Sequence, residues 1–348
     1  MNNFHFEIHS DFKFNGVRAN KEELLSQADN FIVSNIDYQK DTGFFIKNWF
    51  SKDSYVIVKT SGTTGKSKEI KIEKSAMINS AIATGYFFDL PAGIRALCCL
   101  PVKYIAGKMM LVRAMVLGWE IDTIDPTSNP LKEVSKDYDF VAMVPLQVEN
   151  SLDKLDRVKT LLIGGAPLNK QLSSKLIELR CNAYESYSMT ETVTHVALKK
   201  VGNKSFRVLP NVKISIDNRN CLIINAPQLN PDELVTNDVV DLISESEFIW
   251  KGRIDNVVNS GGIKLFPEQI EEKLVNKIHS RFFVAGIPDE VFNEKLVLFI
   301  EGKEFKLDAS IFDKLDKYEK PKGIFFINKF PETETGKIKR KEIVNQFK

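Results

Sequence analysis

This sequence has little of several things, and each shortage excludes a class. It has no apolar run of about 18 residues, so no membrane-spanning helix is expected. Its charges nearly cancel: 48 Lys and Arg against 46 Asp and Glu leave a formal net charge of +2. That is too little of either sign for a polybasic nucleic-acid binder or an acidic solvating tail, so no nucleic-acid partner is expected. The four cysteines, Cys98, Cys99, Cys181 and Cys221, show no CxxC spacing, and two of them are adjacent in an apolar run. They read as buried free thiols of a protein kept in a reducing cytoplasm. The opening MNNFHFEIHSDFKF lacks the basic start and apolar stretch of a secretory signal. Internal repeats, low-complexity stretches and a proline-rich linker are also missing.

What is present is ordinary globular material. The chain has 348 residues, 43% apolar and 27% charged. At about 100–200 residues per domain, that length predicts two domains, or one large and one small. After an irregular start, 21–36 has the spacing of an amphipathic helix and 44–50 is a second short apolar element. From residue 54 to about 190, short β-branched or apolar runs alternate with helical periodicity. SYVIVKT, ALCCLP, WEIDTID, YDFVAMVP, VKTLLIGG and CNAYESYS read as strands between helices, the pattern of a parallel sheet packed by helices. Beyond it, KISIDNRNCLIINAP reads as a hairpin and PEQIEEKLVNKI as a helix with proline in its first turn. RFFVAGIPD, KLVLFIEG and KGIFFINKF read as strands, and LDASIFDKLDKYEK (307–320) as a helix. The expected fold is therefore a large N-terminal α/β domain, residues 1–254, and a small α+β C-terminal domain, 255–348, joined by a tight hinge.

The densest chemical signal is KTSGTTGKSK, 59–68, placed by this reading between a strand and a helix. Gly62 and Gly65 let the backbone turn and expose N–H groups, and hydroxyls and lysines surround them. Backbone N–H, hydroxyl and ammonium groups together form a phosphate cradle. A Walker A loop needs glycine five positions before Gly65, where Thr60 stands, so that motif fails. The plain alternative is a solvated turn.

SGTTGKSK resembles the phosphate loop TSGTTGxPKG of the adenylate-forming acyl-CoA synthetases, and further segments agree in order. IGGAP (163–167) is similar to the family's adenine-contacting turn, and YSMTE (187–191) to its YGMTE segment. VTNDVV (235–240) resembles the TGD segment, KGRIDNVVNSGGIKLFPEQIE (251–271) the stretch GRxDDxIKxxGxxIxPxEIE, and PETETGKIKR (331–340) the C-terminal PKTxTGKIxR. The likeness runs from about residue 55 to the C-terminus; the portion before it is shorter than usual for the family. Departures are Ser67 for proline, Glu69 for glycine, Tyr104 for histidine, Ser188 for glycine and Asn237 for glycine. The one at Tyr104 leaves the usual gating role of that position in doubt.

The resemblance implies a two-step reaction. A carboxylate attacks the α-phosphate of ATP to give an acyl-adenylate, and coenzyme A then displaces AMP. It implies ATP, Mg²⁺ and coenzyme A, and a small carboxylic acid as partner; an oligomer of identical chains is left open. By the same resemblance Lys337 is the catalytic cation, Glu191 the magnesium ligand and Thr190 its catalytic neighbour. Ser61, Gly62, Thr63, Thr64, Gly65, Lys66 and Lys68 would hold phosphate. Gly164, Gly165, Ala166, Pro167, Tyr187, Ser188 and Met189 would hold adenosine, Asp238 the ribose, and Arg253 ribose or phosphate. Gly261 and Gly262 would admit pantetheine, and Asp255 would be the hinge.

For the acid, Tyr104, Gln147 and His195 are the candidate pocket residues, with a structural histidine as the plain reading of His195. MVPLQVENSL (143–152) is similar to VPTQLxxLL of the o-succinylbenzoate–CoA ligases, a branch of the family. A dicarboxylate needs a cation or several donors for its second carboxylate, and Lys103, Arg113, Gln147 and His195 could supply them. Another aromatic or medium-chain acyl-CoA ligase, a stand-alone adenylation domain loading a carrier protein, and a non-catalytic nucleotide-binding module are the alternatives.

Overall fold

The structure is a computed structural model and describes residues 6–59, 69–332 and 338–347. An edge hairpin, β1 (Lys13–Phe14) and β2 (Val17–Arg18), precedes the helix pair α1 (Lys21–Ile32) and α2 (Asp37–Trp49). Asn20 starts α1 with a reciprocal cap: its side chain accepts from Glu23 N at 3.0 Å, and the Glu23 carboxylate accepts from Asn20 N at 2.8 Å. That satisfies two otherwise orphaned donors. α2 carries the apolar run at 44–50 and buries Phe45, Ile46 and Trp49.

β3 (Tyr55–Lys59) and β4 (Glu69–Glu73) form a separate antiparallel ribbon, followed by α3 (Lys74–Phe88). The glycine-rich segment therefore joins two strands, not a strand and a helix as expected. The reason lies in EIKIE: Ile70 and Ile72 alternate with charged residues and pair with Val58 and Val56, a period that suits a ribbon rather than a helix.

Next come β5 (Arg95–Cys98), α4 (Ile105–Leu117), β6 (Glu120–Thr123), β7 (Tyr138–Met143), α5 (Pro145–Asn150), β8 (Val158–Ile163), α6 (Lys170–Glu178) and β9 (Asn182–Ser188). Strands β1, β6, β5, β7, β8 and β9 lie side by side in that order, all parallel. α4 is buried on almost every side, through Met109, Met110, Leu111, Val112, Ala114 and Met115, as an all-apolar helix must be. Two cations, Lys108 and Arg113, are buried with it.

The same sheet continues through β10 (His195–Lys200), β11 (Phe206–Val208), β12 (Lys213–Ile216), β13 (Cys221–Asn225), β14 (Leu234–Ser244) and β15 (Glu247–Arg253), now antiparallel, in the spatial order β9-β10-β11-β15-β14-β13-β12. The expected hairpin joins β12 to β13, with Ile216 opposite Leu222.

A second sheet holds β16 (Val258–Ser260), β17 (Ile263–Leu265), β18 (Phe282–Asp289), β19 (Asn293–Glu301) and β20 (Gly323–Ile327), with α7 (Pro267–Leu274) and α8 (Arg340–Val344) beside it. Its core is its own, built on Val258, Leu265, Ile270, Leu274, Leu296 and Leu298. Only the turn Ile254–Asn256 separates the last strand of the first sheet from the first strand of the second. The helix expected at 307–320 is reduced to one 3₁₀ turn, Ala309–Phe312. Local side chains compete with a helix there. Asp308 accepts from Ser310 N at 2.9 Å, and Glu319, held by Lys273, accepts from Asp316 N at 3.0 Å.

Candidate active site

The carboxyl ends of β5, β7, β8 and β9 all feed the segments singled out in the sequence. β5 leads to Tyr104, β7 to α5, β8 to Gly164–Pro167 and β9 to Tyr187–Glu191. In open α/β sheets this is the end where ligands bind. Gly165 has φ +86°, a conformation that favours glycine, and a Cβ on Gly164 would come within 2.8 Å of Ser186 Oγ. The turn thus brings bare backbone to the mouth of the sheet.

At its centre is Asp238, 7% exposed. Its Oδ2 accepts from the Tyr187 hydroxyl at 2.7 Å and its Oδ1 from Trp250 Nε1 at 3.1 Å. Its own N–H donates to Thr236 Oγ1 at 3.0 Å. Arg253, opposite Asp238 in the β14–β15 register, lies 3.8 Å from Oδ1. Arg253 also donates to Asp255 Oδ2 at 3.0 Å, which Asn237 Nδ2 reaches at 3.3 Å. Burial raises the Asp255 carboxyl, but Arg253 outweighs it and holds the group below the usual carboxylate range. Burial and Asp238 push the Tyr187 hydroxyl well above the usual phenol range, so it stays a donor. Two hydrogen-bonded pairs, Tyr187–Asp238 and Arg253–Asp255, are thereby joined through the 3.8 Å approach of Arg253 to Asp238.

After β9 the chain turns sharply. Thr190–Thr192 is a single 3₁₀ turn, and Val193 follows at φ +67° and ψ −62°. Thr194 N donates to Thr192 O at 2.7 Å across it. This is a γ-turn of the strained hand, unusual for a β-branched residue. It leaves Glu191 exposed and sends His195 inward. Ser188, opposite His195 in the β9–β10 register, is exposed, while Met189 and Thr190 are half-buried. Among the described residues no three His, Cys, Asp or Glu side chains cluster to hold a metal alone. The exposed Glu191 carboxylate fits a magnesium ion carried in on nucleotide phosphates.

His195 Nε2 lies 3.2 Å from Thr84 Oγ1. Thr84 donates to Ser80 O at 2.8 Å and accepts from Arg113 Nε at 3.3 Å. Its remaining lone pair receives the imidazole N–H, which assigns the proton of the neutral ring to Nε2. Burial, then Arg113, holds His195 well below its ordinary pKa. Arg113 is 2% exposed, and burial lowers its pKa to about 10. Among the described residues no carboxylate pairs with it.

The histidine makes stability pH-dependent. Its folded pKa lies below its unfolded one, so the unfolded chain binds the extra proton. The stabilisation is complete above the unfolded pKa of about 6.5 and is lost progressively as pH falls from there through the lower folded pKa. Urea midpoints measured from pH 7.5 down to pH 5 are expected to fall, and to fall less in His195→Gln. An identical pH slope in that variant would contradict the assignment.

Other expected residues are placed differently. Gln147 is 4% exposed. Its Nε2 donates to Cys99 O and Thr127 O, both at 2.9 Å, and its Oε1 accepts from Val144 N at 3.3 Å. With both ends of its amide on the backbone, Gln147 pins α5 and is not free to bind a substrate. Tyr104 caps α4 and is 47% exposed, beneath which Lys108 donates to Val102 O at 2.6 Å. Gly261 and Gly262 form the exposed β16–β17 turn, with Gly261 N donating to Phe292 O at 2.8 Å. Ser61, Gly62, Thr63, Thr64, Gly65, Lys66, Lys68 and Lys337 lie outside the described residues. All four cysteines are buried free thiols, and burial raises Cys98 to about 12.

Sequence reasoning missed Trp250. Its one signal was position, three residues before Arg253 on the same strand.

A parallel sheet with bare backbone turns at its carboxyl end, where Tyr187 of β9 meets a buried carboxylate, has the architecture of nucleotide-binding α/β proteins. The chain belongs to the AMP-binding enzymes: residues 16–234 match the model of that family. It is 27% identical over 317 residues to the 2-succinylbenzoate–CoA ligase of Lactococcus lactis subsp. lactis (strain IL1403), spanning 83% of this chain and 70% of that one. Among solved structures, an acyl-CoA synthetase (AMP-forming)/AMP-acid ligase II-like protein from Dyadobacter fermentans DSM 18053 shares 36% identity at a TM-score of 0.64, over 95% of this chain and 99% of that chain. The O-succinylbenzoate coenzyme A synthetase of Bacillus subtilis, in complex with ATP and magnesium ion, matches in fold, with TM-score 0.71 and 19% identity over 84% of this chain and 69% of that one.

Proposed function

We propose that this protein is an AMP-forming acid–CoA ligase acting on o-succinylbenzoate, in the cytoplasm. In the first step a substrate carboxylate oxygen attacks the α-phosphorus of ATP and pyrophosphate leaves. In the second, the coenzyme A sulfur attacks the acyl carbon and AMP leaves. Asp238 receives the ribose hydroxyls, Gly164–Pro167 and Tyr187 flank the adenine, and Arg253 supplies positive charge beside them. Glu191 holds magnesium, which neutralises phosphate charge when bound. Lys337 bridges the acid and the α-phosphate. The relatives' names support the acid.

The observation that carries the choice of acid is Arg113. A buried guanidinium with no carboxylate partner among the described residues is costly, and a substrate's second carboxylate relieves that cost. Thr84 accepts from its Nε, and His195 in turn bonds Thr84. The test is a panel of acids: o-succinylbenzoate is expected to exceed benzoate and medium-chain fatty acids in kcat/KM. A panel led by a monoacid would discard the substrate and keep the two-step chemistry.

Asp255 is the hinge in this reading, and the domains divide there, 1–254 and 255–348. Asp255→Pro stiffens the Ile254–Asn256 turn. Pyrophosphate release is expected to survive in that variant while thioester formation falls. Equal loss of both would remove the hinge role.

A further inference from the structure

We propose that Trp250 is a positioning residue: its indole N–H and the Tyr187 hydroxyl together fix the plane of the Asp238 carboxylate, so that one oxygen faces each of two vicinal ribose hydroxyls. The inference rests on Asp238 as the ribose acceptor.

The strand register makes the arrangement. Asp238 faces Arg253 and Val239 faces Gly252, but Val240 faces Trp250. Lys251 is the extra residue of a β-bulge. In a regular strand, residues three apart point to opposite faces. The bulge turns both Trp250 and Arg253 to the face that carries Asp238. Gly252, at φ +150°, makes the bend, and a Cβ there would come within 2.5 Å of Glu268 Oε2.

The chemistry then follows from counting lone pairs. A carboxylate has about four acceptor sites. Trp250 takes one on Oδ1 and Tyr187 one on Oδ2, leaving each oxygen an acceptor site for a hydroxyl. Arg253 does not set the plane, because it is 3.8 Å away and shared with Asp255. The two donors are themselves held. Tyr187 packs edge-on to Phe206 and Phe248 at 6.0 and 5.2 Å between centroids, and Trp250 is half-buried against the same core.

The test compares ATP with 2′-deoxy-ATP in acid-dependent pyrophosphate release by the full chain. Trp250→Phe keeps the ring and removes the donor. It is expected to lower the preference for ATP by about tenfold, the lower end of the value of a hydrogen bond to a charged group, through KM for ATP with kcat retained. Tyr187→Phe, the second variant, is expected to move the preference the same way. Asp238→Asn is expected to lower it as well. If Asp238→Asn lowers the preference and neither ring variant does, or if they slow both nucleotides equally, the positioning role is overturned and the ribose assignment stands. If Asp238→Asn leaves the preference unchanged, the ribose assignment fails, and the inference with it.

Discussion

Lys337→Ala is expected to lower pyrophosphate release by about 10²–10³-fold, the size of a lost preorganised charge contact at a reacting phosphoryl group. Thioester formation from supplied acyl-adenylate is expected to be unchanged, because that step no longer involves the α-phosphate attack. The described residues on either side of Lys337 make their own contacts. Glu332 and Ile338 pair as an isolated antiparallel bridge, and Glu332 is held by Arg281. Arg340 donates two bonds to Glu271, at 2.7 and 2.8 Å, and lies over the Phe283 ring. The described flanks on both sides of Lys337 are thus tied to the second sheet and α7. A variant that releases pyrophosphate at the parent rate would take Lys337 out of the reaction.

Arg113→Met is expected to cut kcat/KM for o-succinylbenzoate about a hundredfold, the lower range for removing one side of a buried, hydrogen-bonded charge pair. Benzoate, which lacks the second carboxylate, is expected to be turned over as before. Folding stability supplies a second readout. Because Arg113 has no carboxylate partner among the described residues, a methionine of similar length is expected to be neutral or stabilising in the absence of substrate. Equal loss on both acids would make Arg113 a structural residue, and no loss on o-succinylbenzoate would place the second carboxylate elsewhere.

The sequence singled out Tyr187, Asp238, Arg253 and Asp255 in short, ordered strings, and the fold brings them side by side. The alternation of strands and helices from β5 to β9 was readable from periodicity, and the hairpin joining β12 to β13 from its polar turn. Register was not readable. Nothing in FIWKGRID announces that a bulge at Lys251 turns Trp250 toward Asp238, since a bulge is a property of two paired strands. Nor could sequence separate Gln147 from Arg113 as candidates for the acid. Both are polar side chains on helices, and only packing shows that the Gln147 amide meets backbone while the Arg113 guanidinium meets no carboxylate among the described residues. The phosphate segment was placed before a helix because EIKIEKSAMI runs directly into one. The short period-two strand at its start was too brief to outweigh the helical pattern behind it.

The most direct measurement of the central claim is pyrophosphate and thioester formation with ATP, magnesium and o-succinylbenzoate, with and without coenzyme A. The account predicts thioester and repeated pyrophosphate turnover only when the acid and coenzyme A are both present, and at most a slow or single release with the acid alone. Pyrophosphate release from o-succinylbenzoate with no thioester at any coenzyme A concentration would contradict the ligase and point to a carrier-loading adenylation enzyme. No release with any acid would contradict the adenylation chemistry itself.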